Sequence, residues 1–452
     1  MALPEAFCLR MKALLGEDAE AFFSSLEKPP SRAFRYDPAK VSRNELQKAF
    51  GEALGNEIPF LPNALRFHGE GIGNLPLHHG GALYVQEPAA MAPVAAAMPR
   101  KVGRILDLCA APGGKSLQAA ALLLEDEGVL ICNEPEGKRR KVLMQNLERM
   151  GEGRCQVTGF DARSLPKSWE ERFDLVICDA PCSGEGMMRK HSAAAELWSL
   201  ENIRECARRQ KEILQEAVRI LAPGGILIYS TCTWAPEENE EQVTAVLETY
   251  PQMHLIPPSE AVTAVSAPGI SQTESPYPLF LTRRFYPHLF DGEGQYLALL
   301  EKEEGAKKER KQKKKTQPKP SPQEKVALEF LQKNLTSLPV GTFLTRGDEV
   351  YLVPKGGVDP EETVSPGILL GTVQKGRLVP HHRLFLACGA LFSKRISLEE
   401  EDARVEAYLR GEEIPLEGAG FALLLAGDCP LGGVKISGGR GKNLYPKGLR
   451  KV

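Results

Sequence analysis

Short apolar runs alternate with amphipathic stretches through the middle of the chain, at about residues 76–303. The apolar runs that predict strands are 104–110, 129–134, 154–161, 173–179 and 225–232. The stretches 137–150 and 200–221 carry apolar residues at helical spacing, and the Pro-Gly-Gly segment at 223–225 predicts the end of the second helix. This alternation predicts βαβ units and an α/β fold with a mostly parallel, doubly wound sheet.

Smaller modules flank this central domain. Residues 1–75 combine helical patterns at 7–14 and 19–26 with turns, which predicts a small N-terminal α/β module. Inside the central domain, 257–278 is rich in Pro, Ser and Thr. That composition predicts a long surface loop before the last strand, at 295–300.

The final third of the chain begins with a linker and continues with two modules. Residues 304–322 contain a basic run followed by Pro-Ser-Pro, a composition that cannot build a core. Globular composition returns at residue 323. A more polar stretch near Ser393 divides the remainder into modules at 323–392 and 393–452.

Composition excludes several classes of protein. The chain is 42% hydrophobic and 26% charged, as in soluble globular proteins, and it has no apolar run near the ~18 residues of a membrane span. The ten scattered cysteines favour a reducing cytosol over a disulfide framework. His78 and His79 lack accompanying metal-ligating residues. We therefore expect a cytoplasmic monomer without a membrane segment, a signal peptide or a metal.

The net charge of −2 taken alone argues against a polyanionic partner, but it conceals two basic segments. Residues 307–319 carry a net charge of +7 and residues 431–452 a net charge of +6, so the rest of the chain carries −15. This asymmetry is compatible with a nucleic-acid partner.

A glycine-containing turn follows the first predicted strand of the central domain. Its sequence is Cys-Ala-Ala-Pro-Gly-Gly-Lys at 109–115, whose small residues let the backbone turn sharply and approach a ligand. The turn is not a GxGxxG motif, and Cys109 stands where a P-loop needs its first glycine. A purely structural turn remains the alternative.

Acidic residues end the next three strands. Glu134, Asp161 and Asp179 are expected on one edge of the sheet, where parallel strands present their carboxyl ends to ligands. Acids beside a glycine turn suit a nucleoside cofactor, and the pattern leaves nicotinamide cofactors and S-adenosylmethionine open. Apart from Lys115, the turn contains no basic residue that could bind a phosphate group. This favours S-adenosylmethionine, which has no phosphate.

Two cysteines are predicted on this same edge. Cys182 lies in DAPCSG after the fourth strand, and Cys232 lies in STCT at the end of the fifth. Free cysteines are usually small buried hydrophobes, which is the alternative here. A thiolate that adds to carbon 6 of cytosine makes carbon 5 nucleophilic, so that carbon 5 can accept a methyl group. Asp179 is suited to activate N3 of the base, and a second cysteine to remove the carbon-5 proton.

Three segments closely resemble the Nop/Sun family of RNA cytosine-C5 methyltransferases, in its bacterial RsmF-type branch: CAAPGGK (109–115), DAPCSGEGMMRK (179–190) and STCTWAPEENE (230–240). Similarity continues in YVQEP (84–88), RRFYPHLFDGEGQYLALL (283–300) and KNLYPKGLR (442–450), so it spans most of the chain. The paired cysteine motifs are highly specific. The Arg-Tyr-Asp at 35–37 departs from the family's Arg-Val-Asn, which puts an RNA contact at that turn in doubt.

The resemblance implies a Rossmann-like, class I S-adenosylmethionine-dependent methyltransferase. It implies that Cys232 is the nucleophile, that Cys182 assists product release, and that Asp179 contacts N3 of the base. The residues implied to bind S-adenosylmethionine are Cys109, Ala110, Ala111, Pro112, Gly113, Gly114, Lys115, Glu134, Asp161 and Asp179.

The resemblance also implies an RNA substrate, specifically 16S rRNA, bound by the N-terminal module and by a PUA-like C-terminal module. A paired cytosine hides its reactive face, so the base must be unpaired or extruded. The basic segment 431–452 is expected to contact phosphates, and Tyr445 to stack on a base. The segment 187–190 is suited either to line an RNA channel or to begin a helix. A transfer RNA substrate and a noncatalytic ribosome-assembly factor remain alternatives.

Overall fold

The structure is a computed structural model that describes residues 3–98, 100–125, 127–190, 192–270, 275–305 and 320–451. The basic run at 307–319, and with it most of the expected linker, lies outside these described residues. No helix among them is long and apolar enough to cross a membrane. No group of three or more His, Cys, Asp or Glu side chains in the described ranges could hold a metal ion.

The N-terminal segment forms an antiparallel sheet with helices around it. Its elements are α1 (Glu5–Leu15), α2 (Ala19–Leu26), β1 (Ala33–Tyr36), α3 (Arg43–Phe50), β2 (Leu54–Ile58), β3 (Leu61–Phe67), α4 (Pro76–His79) and β4 (Leu83–Val85). The strand order is β2-β3-β1-β4. A capping box between Ser42 and Glu45 begins α3. The strand β4 pairs with β1 although it lies past residue 75, where the sequence suggested a boundary.

The central domain alternates strands and helices as the sequence predicted. Its elements are α5 (Ala92–Ala96), β5 (Arg104–Asp107), α6 (Gly114–Ala119), β6 (Val129–Asn133), α7 (Gly137–Met150), β7 (Cys155–Thr158), β8 (Phe173–Asp179), α8 (Ser192–Glu196), α9 (Leu200–Ile220), β9 (Leu221–Thr231), α10 (Glu240–Thr249), β10 (Met253–Leu255), α11 (Glu260–Thr263), β11 (Ala267–Pro268), β12 (Arg283–Phe285) and β13 (Gln295–Lys302).

These strands form one twisted sheet in the order β11-β12-β13-β9-β8-β5-β6-β7, with β10 also paired to β13. The five strands from β5 to β9 pair in parallel, and the later strands add antiparallel pairs. This is the Rossmann-like, mostly parallel α/β sheet that the sequence predicted. Buried apolar residues lie on both of its faces, as a doubly wound sheet requires.

Several predicted boundaries were wrong by a few residues. The first three strands end earlier than expected, so that Asp161 lies three residues beyond the end of β7. The helix α9 ends at Ile220, before the Pro-Gly-Gly segment, which belongs to β9. The reason is that Leu221 already pairs with Phe173 of β8, and a bulge in the β8–β9 pairing absorbs the irregular segment.

The segment 257–278 is not simply a surface loop. It contains α11 and β11, and Val262 of α11 is fully buried in the central core. The strand β11 pairs with β12, a short strand that the sequence did not predict. The composition of this segment, rich in Pro, Ser and Thr, therefore did not reveal that it contains β11, the edge strand of the main sheet.

The C-terminal part forms two further sheets. Its elements are α12 (Pro322–Asn334), β14 (Thr342–Arg346), β15 (Glu349–Val353), β16 (Ile368–Gln374), β17 (Arg377–Pro380), α13 (His382–Ala387), β18 (Arg395–Leu398), α14 (Ala403–Leu409), β19 (Ile414–Pro415), β20 (Gly420–Ala426), β21 (Cys429–Ser437) and β22 (Arg440–Asn443). The first sheet has the order β14-β15-β16-β17, and the second has the order β18-β20-β21-β22-β19.

The first C-terminal sheet packs against the outer strand of the main sheet. An isolated bridge joins Val157 of β7 to Ser365, so backbone groups of this edge strand are paired across the junction. Nearby, the Trp169 indole N–H donates to Glu362 at 2.8 Å. These contacts fix the C-terminal part at the far side of the sheet from β13.

A buried ion pair stabilises the region behind the two cysteine motifs. Arg284 of β12 donates through Nε to Glu240 Oε1 at 2.7 Å and through Nη1 to the Trp234 carbonyl at 2.8 Å, and both charged side chains are 1% exposed. We expect Glu240→Gln to lower the free energy of unfolding by about 3–5 kcal/mol, because it leaves a buried guanidinium without its counter-charge. Urea denaturation followed by tryptophan fluorescence measures this.

The exposed pair of Arg410 and Glu412 supplies the matched control. Glu412→Gln is expected to leave the urea midpoint unchanged, because water screens exposed pairs. Equal midpoints for wild type and Glu240→Gln would contradict a stabilising role for the buried pair.

Candidate active site

A cavity of about 450 Å³ lies at the carboxyl ends of the parallel strands. Its lining includes these residues predicted for the site: Cys109, Ala110, Ala111, Pro112, Gly114, Lys115, Asp179 and Cys232. Tyr84, Gln86, Asp107, Arg139, Met187 and Gln295 also line it, and sequence reasoning had assigned them no role in this site. Four predicted residues, Gly113, Glu134, Asp161 and Cys182, are not part of its lining.

The turn between β5 and α6 has the close backbone approach that its small residues predict. Gly113 has φ +110°, a conformation that favours glycine. A Cβ added at Gly114 would lie 3.2 Å from side-chain atoms of both Gln86 and Tyr84. The cavity wall beside the turn is therefore formed by Tyr84 of β4 and by Gln86 directly after this strand.

Arg35 of β1 fixes this turn from behind. Its guanidinium donates to the Gly114 carbonyl at 2.9 Å and to Gln86 Oε1 at 2.9 Å. Burial lowers the pKa of Arg35 to about 10. The Arg-Tyr-Asp segment that departs from the family pattern thus contributes a contact to the turn, and its Asp37 accepts a hydrogen bond from the Ala39 N–H within its own loop.

Two buried carboxylates near the turn have oxygens without a hydrogen-bond partner. Glu134 is 1% exposed, and its Oε2 has no hydrogen bond, although Arg139 Nη1 lies 3.4 Å away. Asp107 Oδ1 is also unpartnered, and burial raises the pKa of this carboxyl to about 7. Buried oxygens of this kind are acceptors for hydroxyl or ammonium donors. The site therefore fits a nucleoside or amino-acid moiety such as S-adenosylmethionine contains.

Asp161 does not share this arrangement. Arg163 pairs with it at 2.6 Å, and the Asp161 side chain is 51% exposed. This hydrogen-bonded arginine lowers the pKa of Asp161 to about 2. The expectation that three acids lie in register on the sheet edge was therefore wrong for Asp161, because β7 ends at Thr158 and the chain then turns outward.

Lys115 is paired with a carboxylate across the cavity. Its Nζ lies 2.8 Å from Asp179 Oδ2, and the Ser230 hydroxyl donates to Asp179 Oδ1 at 2.7 Å. Asp179 is thereby fixed at the end of β8, between the glycine-containing turn and the cysteine at the end of β9. Both side chains of this pair line the cavity.

The two cysteines meet as their motifs predicted. The strands β8 and β9 are parallel neighbours, with Asp179 opposite Ser230. Cys182 Sγ and Cys232 Sγ lie 3.2 Å apart, and the Cys232 N–H donates to Cys182 Sγ at 3.3 Å. The hydrogen bond with Cys232 and burial raise the pKa of the Cys182 thiol well above its usual range. Cys232 lines the cavity directly.

Two buried glutamates join the loops that carry these cysteines. Glu238 accepts the Ser183 N–H at 2.9 Å and the Gln210 amide at 2.9 Å. Glu185 accepts the Thr233 hydroxyl and the Trp234 N–H, both at 2.9 Å. We call this pair, Glu185 and Glu238, the glutamate clamp. Both glutamates lie inside the two cysteine motifs, but the sequence does not show that the two loops lie side by side. The clamp could therefore not be predicted from the sequence.

Other sequence predictions have mixed outcomes. Tyr445 is 3% exposed and bonds to His79 Nδ1 at 2.9 Å, so the expectation that it stacks on RNA was wrong. In the segment 187–190, Met187 lines the cavity, whereas Arg189 is buried against Glu293. Met187 is the last residue of a single 3-10 turn, Glu185–Met187, and does not begin an α-helix.

A parallel sheet with a nucleoside-type site at its carboxyl edge, together with two thiols at the ends of its neighbouring strands, defines a Rossmann-like methyltransferase. Three family models match: 16S rRNA methyltransferase RsmB/F over 94–301, the N-terminal domain of 16S rRNA methyltransferase RsmF over 3–88, and the methyltransferase RsmF PUA domain over 395–451. The chain belongs to the RsmF-type family of 16S rRNA methyltransferases.

Similar proteins cover nearly the whole chain. Ribosomal RNA small subunit methyltransferase F of Aeromonas salmonicida is 30% identical, over 99% of this chain and 97% of that protein. Its counterpart in Cronobacter sakazakii is 31% identical, over 99% and 96%. A solved methyltransferase homologue from Pyrococcus horikoshii is 27% identical with a TM-score of 0.57, and the match covers 66% of this chain and 95% of that one. The predicted cofactor, S-adenosylmethionine, agrees with this family and fold.

The glutamate clamp is expected to control the reactivity of Cys182. Glu238→Ala removes the acceptor of the Ser183 N–H and a negative charge that contributes to the raised pKa of Cys182. We expect iodoacetamide to alkylate Cys182 faster than in the wild type at pH 8, because a lower pKa raises the fraction of the reactive thiolate. Mass spectrometry of the Cys182 peptide over time measures the rate.

Glu241→Ala is the matched control, because Glu241 lies in the same segment and forms no described hydrogen bond with the Cys182 loop. It should alkylate at the wild-type rate. The role of the clamp is refuted if Glu238→Ala and wild type react equally fast.

Proposed function

We propose that this protein methylates carbon 5 of cytosine in small-subunit ribosomal RNA, through a covalent bond between Cys232 and carbon 6 of the base. The observation that carries this proposal is the 3.2 Å separation of the Cys182 and Cys232 sulfurs, with Cys232 facing the cavity. Methylation of a carboxyl, amine or ring nitrogen needs no pair of thiols. Carbon-5 methylation uses one thiol to activate the ring and a second group to release it.

The cofactor is expected to lie along the glycine-containing turn. When bound, S-adenosylmethionine supplies an electrophilic methyl group. Glu134 is proposed to accept hydrogen bonds from ribose hydroxyls, and Asp107 from the amino-acid part, because both have unpartnered oxygens. The proposed contacts are Cys109, Ala110, Ala111, Pro112, Gly113, Gly114, Lys115, Glu134, Asp161 and Asp179. Asp161 needs to leave Arg163 before it can take part.

The thiols have different roles because Cys232, unlike Cys182, lines the cavity. The raised pKa of Cys182 keeps its sulfur protonated, and its S–H can stabilise a thiolate on Cys232. The Cys232 thiolate bonds to carbon 6, while Asp179 with Lys115 delivers a proton to N3. The ring electrons move to carbon 5, which takes the methyl group. Cys182 gives its own proton to solvent and then removes the carbon-5 proton. As the double bond between carbons 5 and 6 forms again, the bond from Cys232 Sγ to carbon 6 breaks and N3 returns its proton to Asp179 and Lys115.

The RNA is proposed to contact the basic hairpin at the C-terminal end. Lys435, Arg440, Lys442 and Lys447 are exposed, and Lys435 lies opposite Lys442 in the β21–β22 pairing. Phosphate contacts of this kind provide most of the affinity for RNA. In this proposal, the modules are N-terminal at 1–75, catalytic at 76–303, a linker at 304–322, and C-terminal at 323–392 and 393–452.

The substrate is tested with methyl-labelled S-adenosylmethionine. We expect label in 5-methylcytosine of small-subunit rRNA and none in transfer RNA, because the family resemblance extends over the whole chain. Nuclease digestion followed by mass spectrometry of the nucleosides identifies the product and the RNA. Label in transfer RNA alone, or at a position other than carbon 5, would contradict the proposal.

The two cysteines are tested separately. Cys232→Ala is expected to abolish both methylation and the covalent adduct, because it removes the nucleophile. Cys182→Ala is expected to accumulate a protein–RNA adduct, because carbon 5 keeps its proton and Cys232 cannot leave. Denaturing gels with labelled RNA display the adduct, and Cys206→Ala, a buried thiol on α9, serves as the control. An adduct that forms with Cys232→Ala and not with Cys182→Ala would reverse the assignment.

A further inference from the structure

Gln295 begins the strand that pairs with the Cys232 strand. In the antiparallel β13–β9 pairing, Tyr296 lies opposite Thr231, so the residue before Tyr296 is placed beside the residue after Thr231. Gln295 and Cys232 accordingly line the same cavity. The sequence alone predicts no role for Gln295 beyond its place in the last strand.

The amide of Gln295 has an unused donor. The residue is 2% exposed, and its Nε2 is buried with no hydrogen-bond partner among the described residues. A buried donor without an acceptor is unfavourable, and most native proteins avoid it. An acceptor supplied by a ligand in the cavity would satisfy this group.

The backbone before Gln295 is fixed against the cysteine loops. The Gly294 N–H donates to the Gly186 carbonyl at 3.4 Å, and the Gly186 N–H donates to the Cys232 carbonyl at 2.9 Å. A Cβ at Gly294 would lie 2.7 Å from Gly186 Cα and 2.6 Å from the Trp234 ring. Gln295 is therefore held at a constant position relative to Cys232, as a substrate contact requires.

The strand order separates Gln295 from the cofactor turn. Along the sheet edge, the turn follows β5, Asp179 ends β8, Cys232 follows β9 and Gln295 begins β13. Gln295 thus lies beside the nucleophile Cys232 and two strands further from the turn than Asp179. This position suits a contact with the reacting base better than a contact with the methyl donor.

We propose that Gln295 donates a hydrogen bond from Nε2 to the carbonyl oxygen O2 of the target cytosine. The proposal rests on the proposed function, which places the base between Asp179 and Cys232. Asp179 acts at N3, so the adjacent O2 is the remaining acceptor on that edge of the ring. A donor at O2 orients the base and withdraws electron density from the ring, which favours attack at carbon 6.

The test is Gln295→Met, which keeps the length of the side chain and removes its donor. We expect kcat/KM for unmodified small ribosomal subunits to fall about 3- to 10-fold, the usual effect of losing one hydrogen bond. The dissociation constant of S-adenosylhomocysteine, measured by calorimetry, should stay unchanged. The melting temperature should not fall, because the amide donor has no partner in the free protein.

Gln242→Met is the matched control, since Gln242 is a buried glutamine on α10 with an unpartnered amide oxygen outside the cavity. It should keep wild-type kcat/KM. An unchanged kcat/KM for Gln295→Met would overturn the proposal, and so would weaker binding of S-adenosylhomocysteine, which would assign Gln295 to the cofactor. Wild-type protein that makes no 5-methylcytosine would instead refute the proposed function itself.

Discussion

The parallel pairing of β8 with β9 determines where every reactive group in the site lies. Its register sets Asp179 opposite Ser230, so the chain leaves both strands at the same level. Cys182 follows three residues after Asp179, and Cys232 follows two residues after Ser230, which brings the sulfurs within 3.2 Å. Apolar residues buried on both faces of these strands fix that register. The register of the sheet therefore brings the two cysteine loops to the same edge.

Strand register alone would not hold together the two loops that follow β8 and β9. Buried carboxylates that accept hydrogen bonds from both loops hold them together. Glu185, Glu238 and Glu240 are each 2% exposed or less. Burying a carboxylate is unfavourable unless donors surround it, and here each of the three accepts several hydrogen bonds from the segments it joins. If the loops moved apart, these buried carboxylates would lose hydrogen-bond donors, which is unfavourable. The loops are therefore held in the arrangement seen in the structure. Glu238 also places negative charge near Cys182 and so favours its protonated form.

The sequence predicted the central fold well because its signals are local. A continuous apolar run gave β8 at Phe173–Asp179, and helical spacing before Gly151 gave α7 at Gly137–Met150. The predictions failed where partners distant in sequence decide the outcome. Thr158 pairs with Asn133 of β6 and ends β7 before Asp161, and Tyr445 bonds to His79 from the other end of the chain. No periodicity or motif in one segment reveals such contacts.

The N-terminal sheet contributes directly to the wall of the cavity. Tyr84 and Gln86 form part of the cavity wall, and Arg35 holds both Gln86 and the Gly114 carbonyl. The glycine-containing turn is thus supported on one side by its own domain and on the other by a sheet that precedes it in sequence. The half-buried guanidinium of Arg35 ties the N-terminal sheet directly to the turn. The N-terminal sheet is accordingly a structural support of the glycine-containing turn.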